Sequence, residues 1–483
     1  MPYSLLKFVC SALVIASISV AAFAQRGPHL TLLFDNSLAP ESIAAATNAL
    51  PGSWNPTSST ASPLDEAVSF LIEELNDPQS QPSFVSLKQI YGNRYASVPA
   101  IRKTIAQLRG LELSVEERRA AFFPKVTLGS SSGRSNVTRS GTTTSGNLST
   151  ITLAADQLLF DFGATTTQVG IASTRLESGI NRIGVERMEV LYEMIRVQLD
   201  FQKSRKLIVF YDAFVNSRER FYSLIKQKVD LGASSQLDLS RAKTSMLEAK
   251  SKIPTITGEV FRTEGVVQEL FGGVPDFAFA FYQIPKIPVN FPGGIDKVVA
   301  THPAVLEAQK NLEIARAEVA YLEQSALGSV RLTVSRSNNR QPASANSSTN
   351  SAYIEYTNTL FDGFAHRSKT QAAITRTEEF GVELERVQRK TRQQLLTALS
   401  EYQTSKNQLD VRRELLMSAK KSSSDLMEAF LLNLGSLTDV FNAEEAYFSA
   451  AESTVQSMVD FYTAYYRVLH EAGLLSEAFE LNT

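Results

Sequence analysis

The sequence predicts a mostly α-helical protein with paired strands, built from a duplicated helix, strand, strand, long helix, turn, helix repeat. Three observations predict it. Ala164 to Leu231 and Ala365 to Leu434 are proline-free with apolar residues at helical spacing, a pair of alternating stretches precedes each run, and the pattern occurs twice about 200 residues apart. In the second run Leu395, Tyr402, Leu409, Leu416 and Phe430 share one seven-residue register, joined by Leu399, Met427 and Leu434 on the next. At 1.5 Å per residue such a helix spans on the order of 100 Å, whereas a globular helix averages about 11 residues. A rod of that length reaches between two places.

The chain of 483 residues has a formal charge of -2 and 20% charged residues, which leaves no basic footprint for nucleic acid. Residues 1–24 read as a secretory signal peptide: Lys7, an apolar run from Phe8 to Val20, then Ala22-Phe23-Ala24 before Gln25. The single cysteine, Cys10, lies inside it, so the exported product has no disulfide, no thiol chemistry and no cysteine for a lipid anchor. Beyond residue 24 no apolar run approaches the ~20 residues of a membrane helix. Any membrane entry must be as strands.

Residues 25–85 are broken by Pro51-Gly52, Asn55-Pro56, Pro63, Pro78 and Pro82, with one short helix expected from Ser62 to Leu75, capped by Ser62 with Pro63 at its first position. The first repeat, 86–270, opens with helical spacing from Ser86, interrupted at Pro99, to Phe123-Pro124. The period then changes to two, predicting strands near 125–132 and 150–158 with a polar Ser/Thr/Gly/Asn loop between them. They end at Phe160-Asp161-Phe162-Gly163, the long helix follows to Leu231, Gly232 opens a polar break, and a further helix runs from Leu237 to about Leu270. Residues 271–294, rich in proline and glycine, form a linker.

The second repeat, 295–476, has the same grammar. Thr301-His302-Pro303-Ala304-Val305 answers Ser97-Val98-Pro99-Ala100-Ile101 at an offset of 204. Strands are expected near 329–337 and 352–360 around a polar loop from Asn338 to Ser351. Leu360-Phe361-Asp362-Gly363-Phe364 then answers the first junction, and Leu434-Gly435 answers Leu231-Gly232 at an offset of 203. Residues 477–483 are a C-terminal tail.

Four strands of nine to eleven residues are long enough to cross a bilayer when tilted, but four cannot close a barrel. Open edges in lipid leave backbone groups unpaired at several kcal/mol each, so the strands either avoid membrane or are pooled between two, three or four chains. Phe160, Phe162, Phe361 and Phe364 at the strand-to-helix junctions, where an interfacial belt would sit, favour pooling.

The tandem repeat, the Phe-Asp-Phe-Gly and Phe-Asp-Gly-Phe junctions, and the tips Val229-Asp230-Leu231-Gly232 and Asn433-Leu434-Gly435 followed by Thr438-Asp439-Val440-Phe441-Asn442-Ala443 resemble the TolC family of outer-membrane efflux and secretion channels. The resemblance covers about residues 86–476. It implies a homotrimer, with a 12-stranded barrel in the outer membrane continuous with a twelve-helix tunnel across the periplasm. It also implies a periplasmic adaptor (membrane fusion) protein and an inner-membrane ABC or RND-type transporter as partners, outer-membrane lipid around the barrel, and no cofactor. The function implied is a passive exit duct for type I protein secretion or small-molecule efflux in a Gram-negative bacterium, gated at its periplasmic tip.

A conduit needs no nucleophile. In the family, aspartates just after the second tip ring the periplasmic aperture; Asp439 matches one position, and the next, three residues on, is Asn442 here. Asp439 reads equally well as an N-terminal cap of a helix beginning at Val440. Gly232 precedes Asp238 by six residues but Gly435 precedes Asp439 by four, which reads as a shortened second tip. Leu231, Gly232, Leu434 and Gly435 are the candidate adaptor-docking tips, and both glycines read as left-handed helix ends. Phe160, Asp161, Phe162, Gly163, Phe361, Asp362, Gly363 and Phe364 are the candidate membrane-interface junctions. His29, His302, His366 and His470 form no metal spacing and read as surface or capping residues. The rival reading is an exported coiled-coil stalk without channel activity; no enzyme constellation is evident from spacing.

Overall fold

The computed structural model describes residues 62–76, 81–95, 98–284, 294–340, 347–432 and 434–481. The expected signal peptide, Asn433 and parts of both the N-terminal segment and the linker lie outside the described residues.

Four antiparallel strands make one sheet in the order β1-β2-β3-β4: β1 Lys125–Arg139, β2 Thr142–Phe160, β3 Ser329–Arg340 and β4 Ser347–Thr357. The strands are longer than the alternation predicts. The stretch 133–149, expected as a polar loop, continues the ladder to Arg139↔Thr142 and turns at Ser140 and Gly141, whose φ values of 52° and 82° fit a two-residue primed turn. Likewise 338–351 is not all loop, since β3 runs to Arg340 and β4 begins at Ser347; β4 also stops at Thr357 instead of reaching residue 360. Backbone pairing needs no apolar residue, and Thr138 and Thr143 still bond across the hairpin at 2.8 Å.

The pleat separates two chemistries. The register puts Val126, Leu128, Ile151, Leu153, Val334, Ile354 and Tyr356 on one face, all exposed. Thr127, Thr152, Asp156, Thr333, Ser335, Ser337 and Ser351 share the other, where Thr333 donates to Asp156 at 2.7 Å and Thr152 meets Ser337 at 3.1 Å. Leu158 and Tyr353 are large apolar exceptions on this polar face.

In chain order the helices are α1 Pro63–Asn76, α2 Phe84–Tyr95, α3 Pro99–Arg119, α4 Ala164–Asp230, α5 Gln236–Phe271, α6 Gly294–Thr301, α7 Pro303–Ser325, α8 Ala365–Leu431, α9 Leu437–Glu471 and α10 Leu475–Ala478. The two long helices, α4 and α8, each have 67 residues. Shorter helices flank them in halves. Near the sheet α3 and α7 line α4, with Ser178 to Asn311 at 2.8 Å and Thr167 to Gln324 at 2.6 Å. Leu111 of α3 packs against the backbone of α4 at Gly179. Farther along, α5 and α9 take over, with Ser204 to Thr263 at 2.8 Å and Tyr211 to Glu452 at 2.8 Å.

Most of the core lies where α1, α2 and residues 272–283 wrap the middle of α4 and α9. Phe281 stacks on Tyr462, Tyr91 packs edge-on to Phe271, and Gln202 donates to the carbonyls of Ala278 and Ala280. Lys206 and Glu74 form a buried pair at 2.7 Å, and Glu74 also accepts from the backbone N–H of Phe281. Burial pushes the Lys206 ammonium down, opposed by Glu74. The α1 helix, which the sequence shows only as one short capped amphipathic helix, is thus tied to α4 by a buried charge.

His302 is the N-cap of α7: Nδ1 accepts from the Ala304 N–H at 3.2 Å. Burial, with His470 beside it and Glu471 opposing, pushes its pKa below the ordinary histidine value. Protonation would also remove the Nδ1 acceptor. Stability from this group is present above the unfolded histidine pKa and is lost as pH falls through the depressed folded pKa. The melting temperature in detergent is therefore expected to drop between pH 7.5 and pH 5, and the drop to be smaller in His302→Asn, which can still cap but cannot titrate.

Candidate functional site

Two regions at opposite ends of the long helices gather the residues singled out by sequence. At the strand-to-helix junctions, Phe160 packs edge-on to Phe162 with centroids 4.9 Å apart, and Phe361 to Phe364 at 5.5 Å. All four phenylalanines are exposed. Phe162 and Gly163 have φ values of 56° and 90°, and Gly363 and Phe364 have 70° and 67°. The Phe-Gly and Gly-Phe orders therefore occupy the same two left-handed positions, one of them strained by a phenylalanine in each copy. The first N–H groups of each long helix have no intrahelical partners. Asp161 accepts from Gly163 and Thr165 N–H at 3.2 and 2.6 Å, and Asp362 accepts from His366 N–H at 2.7 Å. An aspartate ahead of the helix caps it and complements its positive end.

At the far end, α4 stops at Asp230 and α5 begins at Gln236, while α8 stops at Leu431 and α9 begins at Leu437. Both helix ends and both helix starts are related by an offset of 201, so the second tip is not shortened. Ala233 N–H donates to Lys228 O at 2.7 Å and Leu434 N–H to Ala429 O at 2.8 Å, the same helix-closing bond in each copy. Gly232 is left-handed at φ 73°, but Gly435 is not, and it does not end the helix. A Cβ on Gly435 would press on Phe430 N at 3.3 Å, which accounts for the residue by close approach. The repeated Leu-Gly pair is a false register: Gly435 corresponds to Ser234.

The corrected register brings out a pair that the sequence reading missed. Ser235 caps α5 and Ser436 caps α9; each serine Oγ accepts from the N–H of an aspartate three residues on, at 3.1 Å for Asp238 and 3.2 Å for Asp439. Each hydroxyl also donates to that carboxylate at 2.7 Å. Asp439 is thus the third residue of α9 and not the cap before a helix beginning at Val440. The Ser235 hydroxyl holds the Asp238 carboxyl below the ordinary range. The spacing Ser-x-x-Asp at both tips was the signal available. Asp439 and Asn442 are exposed, one turn apart on α9.

Behind the tips, Phe221, Ile225, Ala242, Phe430, Leu437 and Val440 form one apolar cluster drawn from all four helices. In front of it Leu231 and Leu434 are 83% and 81% exposed. Arg218 on α4 is buried against α9: it lies 3.3 Å from Glu444, donates to the Phe441 carbonyl at 3.0 Å, and stacks over Phe214 and Phe441. Ser217 also donates to Glu444. Burial pushes Glu444 up and Arg218 down, each opposed by the other. This buried pair joins the two helical hairpins just above the tips.

The family model described as "Outer membrane efflux protein" matches residues 91–273 and 294–467. The chain belongs to the outer membrane efflux protein family. The outer membrane efflux protein BepC of Brucella suis biovar 1 is 21% identical over 394 residues, covering 79% of this chain and 84% of the relative. The alkaline protease secretion protein AprF of Pseudomonas aeruginosa is 24% identical over 387 residues, covering 74% and 78%. In fold the chain is similar to the CmeC outer membrane channel of Campylobacter jejuni, with a TM-score of 0.69 at 13% identity over 89% of this chain and 91% of that one. It is also similar to the outer membrane protein VceC of Vibrio cholerae, with a TM-score of 0.67 at 15% identity over 80% and 96%. As a family member the protein is an outer-membrane export channel, and the two matched segments lie on either side of residues 274–293.

Removing one partner of a buried ion pair leaves the other charge uncompensated. Arg218→Ala is expected to lose ~3–5 kcal/mol, read as a lower urea midpoint of the detergent-solubilised protein by circular dichroism. The exposed pair Arg389–Glu385 serves as a control, and its disruption by Arg389→Ala leaves the midpoint nearly unchanged.

Proposed function

We propose that three copies of this chain pool their sheets into a 12-stranded barrel in the outer membrane, continued by a tunnel of helices across the periplasm. The observation that carries the reading is the open four-stranded sheet with one exposed apolar face and one polar face. Among the described residues its outer strands, β1 and β4, pair on one side only, and edges in lipid must be paired. Val382, Leu396 and Val411 on α8 are exposed, as are Ile105 and Leu113 on α3, which gives the helical part apolar surface for neighbouring subunits. The junction phenylalanines sit at the membrane interface and the tips point away from it.

In this reading the exposed leucines Leu231 and Leu434, beside Gly232 and Gly435, dock a periplasmic adaptor that recruits an inner-membrane transporter of ABC or RND type. Asp439, Asn442 and the newly matched Asp238 lie near the aperture, and the Arg218–Glu444 pair braces it. A secretion protein and an efflux protein among the relatives support a duct for export, with the cargo chosen by the partner transporter.

Unheated protein in mild detergent is expected to migrate as a trimer and boiled protein as a monomer; a monomer under both conditions would remove the pooled barrel. Cysteine crosslinking at Leu231 and Leu434 is expected to capture the adaptor, whereas capture only from positions near the junctions would move docking away from the tips. Asp439→Ala is expected to raise single-channel conductance or weaken divalent-cation block in planar bilayers, and unchanged values for both would take Asp439 out of the aperture.

A further inference from the structure

Below the sheet, α3, α4, α7 and α8 converge on one pocket of about 410 Å³. These helices are neighbours in the order α3, α4, α7, α8, so four can meet at one pocket only if their layer curves around it. Gln168 and Tyr321 line this pocket and also a second one, bounded by Arg331 and Thr357 of the polar sheet face. The pocket therefore continues the polar face, which is the inner face of a closed barrel.

Its charge is one-sided. Arg118, Arg175, Lys369 and Arg376 line it against a single carboxylate, Glu318. Arg175 and Arg376 occupy equivalent places in the two repeats, each the twelfth residue of its long helix, and both lean on Glu318, at 2.7 and 3.8 Å. Arg118 and Lys369 have no ion partner among the described residues. The adjoining pocket adds Glu379, which still leaves four cations against two carboxylates. At 1.5 Å per residue Arg175 and Arg376 lie about 18 Å from the strand-to-helix junctions.

We propose that this pocket is an anion-selecting vestibule of the channel, which favours carboxylate- or phosphate-bearing cargo on its way into the barrel. The proposal rests on the channel reading and gives it a substrate class. In a threefold assembly the cluster recurs around the lumen, and a ring of one charge sign in a confined aqueous path sets selectivity and raises the local concentration of the opposite sign. Solvent-exposed cations suit this role, since cargo must be attracted without being retained.

The test uses the full trimer in planar bilayers under a potassium chloride gradient. The double variant Arg118→Gln/Lys369→Gln is expected to lower the chloride-to-potassium permeability ratio severalfold, and Glu318→Gln is expected to raise it. Opposite shifts from the two variants exclude simple loss of structure as the cause. Poly-glutamate and tripolyphosphate, added separately, are expected to block the unmodified channel, with weaker block in the double variant; the stronger blocker identifies carboxylate or phosphate as the better match. A conducting channel whose permeability ratio is the same in all three proteins overturns the vestibule and leaves the channel reading intact. An unmodified trimer that never conducts overturns both.

Discussion

A four-stranded sheet has two edges, and in hydrocarbon an edge cannot exist alone. Every backbone N–H and C=O of β1 and β4 that faces lipid without a partner costs several kcal/mol, far more than the net stability of a domain allows for a row of them. In the proposed barrel the chain would build one segment of a wall and leave the rest to other copies. The same logic governs the helices. A 67-residue helix such as α8 buries only a narrow stripe within its own chain, at Leu395, Ala398, Leu416 and Phe430, and keeps further apolar residues exposed along its free side.

The junction between sheet and long helix is where local chemistry is most demanding. The chain leaves a strand, passes two left-handed residues and starts a long helix, with an aspartate supplying the acceptor that the first turn lacks. Two copies solve this problem with the same φ pair and the same capping aspartate, although glycine and phenylalanine have exchanged places. At the other end the two tips also share one geometry, a helix-closing bond and a Ser-x-x-Asp cap, on different residues.

Along the rod, polar contacts inside the fold tie the pieces into one body. Lys206–Glu74 fastens α1 to the middle of α4, and Arg218–Glu444 fastens α4 to α9 near the tips. Buried pairs of this kind contribute little net stability against apolar substitutes, but they penalise any slippage of one helix along another, because a shifted register leaves a charge stranded. In a structure made of long parallel helices, where apolar stripes alone would tolerate a slip by one heptad, such pairs fix the register.

The sequence by itself determined the duplication, the long helices and their starts, the presence of two strands per repeat and the junction residues, because periodicity, proline and capping aspartates act locally. It misjudged the strand ends, since Ser/Thr hairpins pair through the backbone and show no apolar alternation. It also misjudged the second tip, since Leu434-Gly435 copies the letters of Leu231-Gly232 without its φ angle. Only the tertiary structure decided that α1 is bound in by a buried lysine, and that Arg118, Arg175, Lys369 and Arg376 share one pocket. Those residues come from three helices separated by up to 258 positions, from Arg118 to Arg376, and no local pattern records a meeting made by packing.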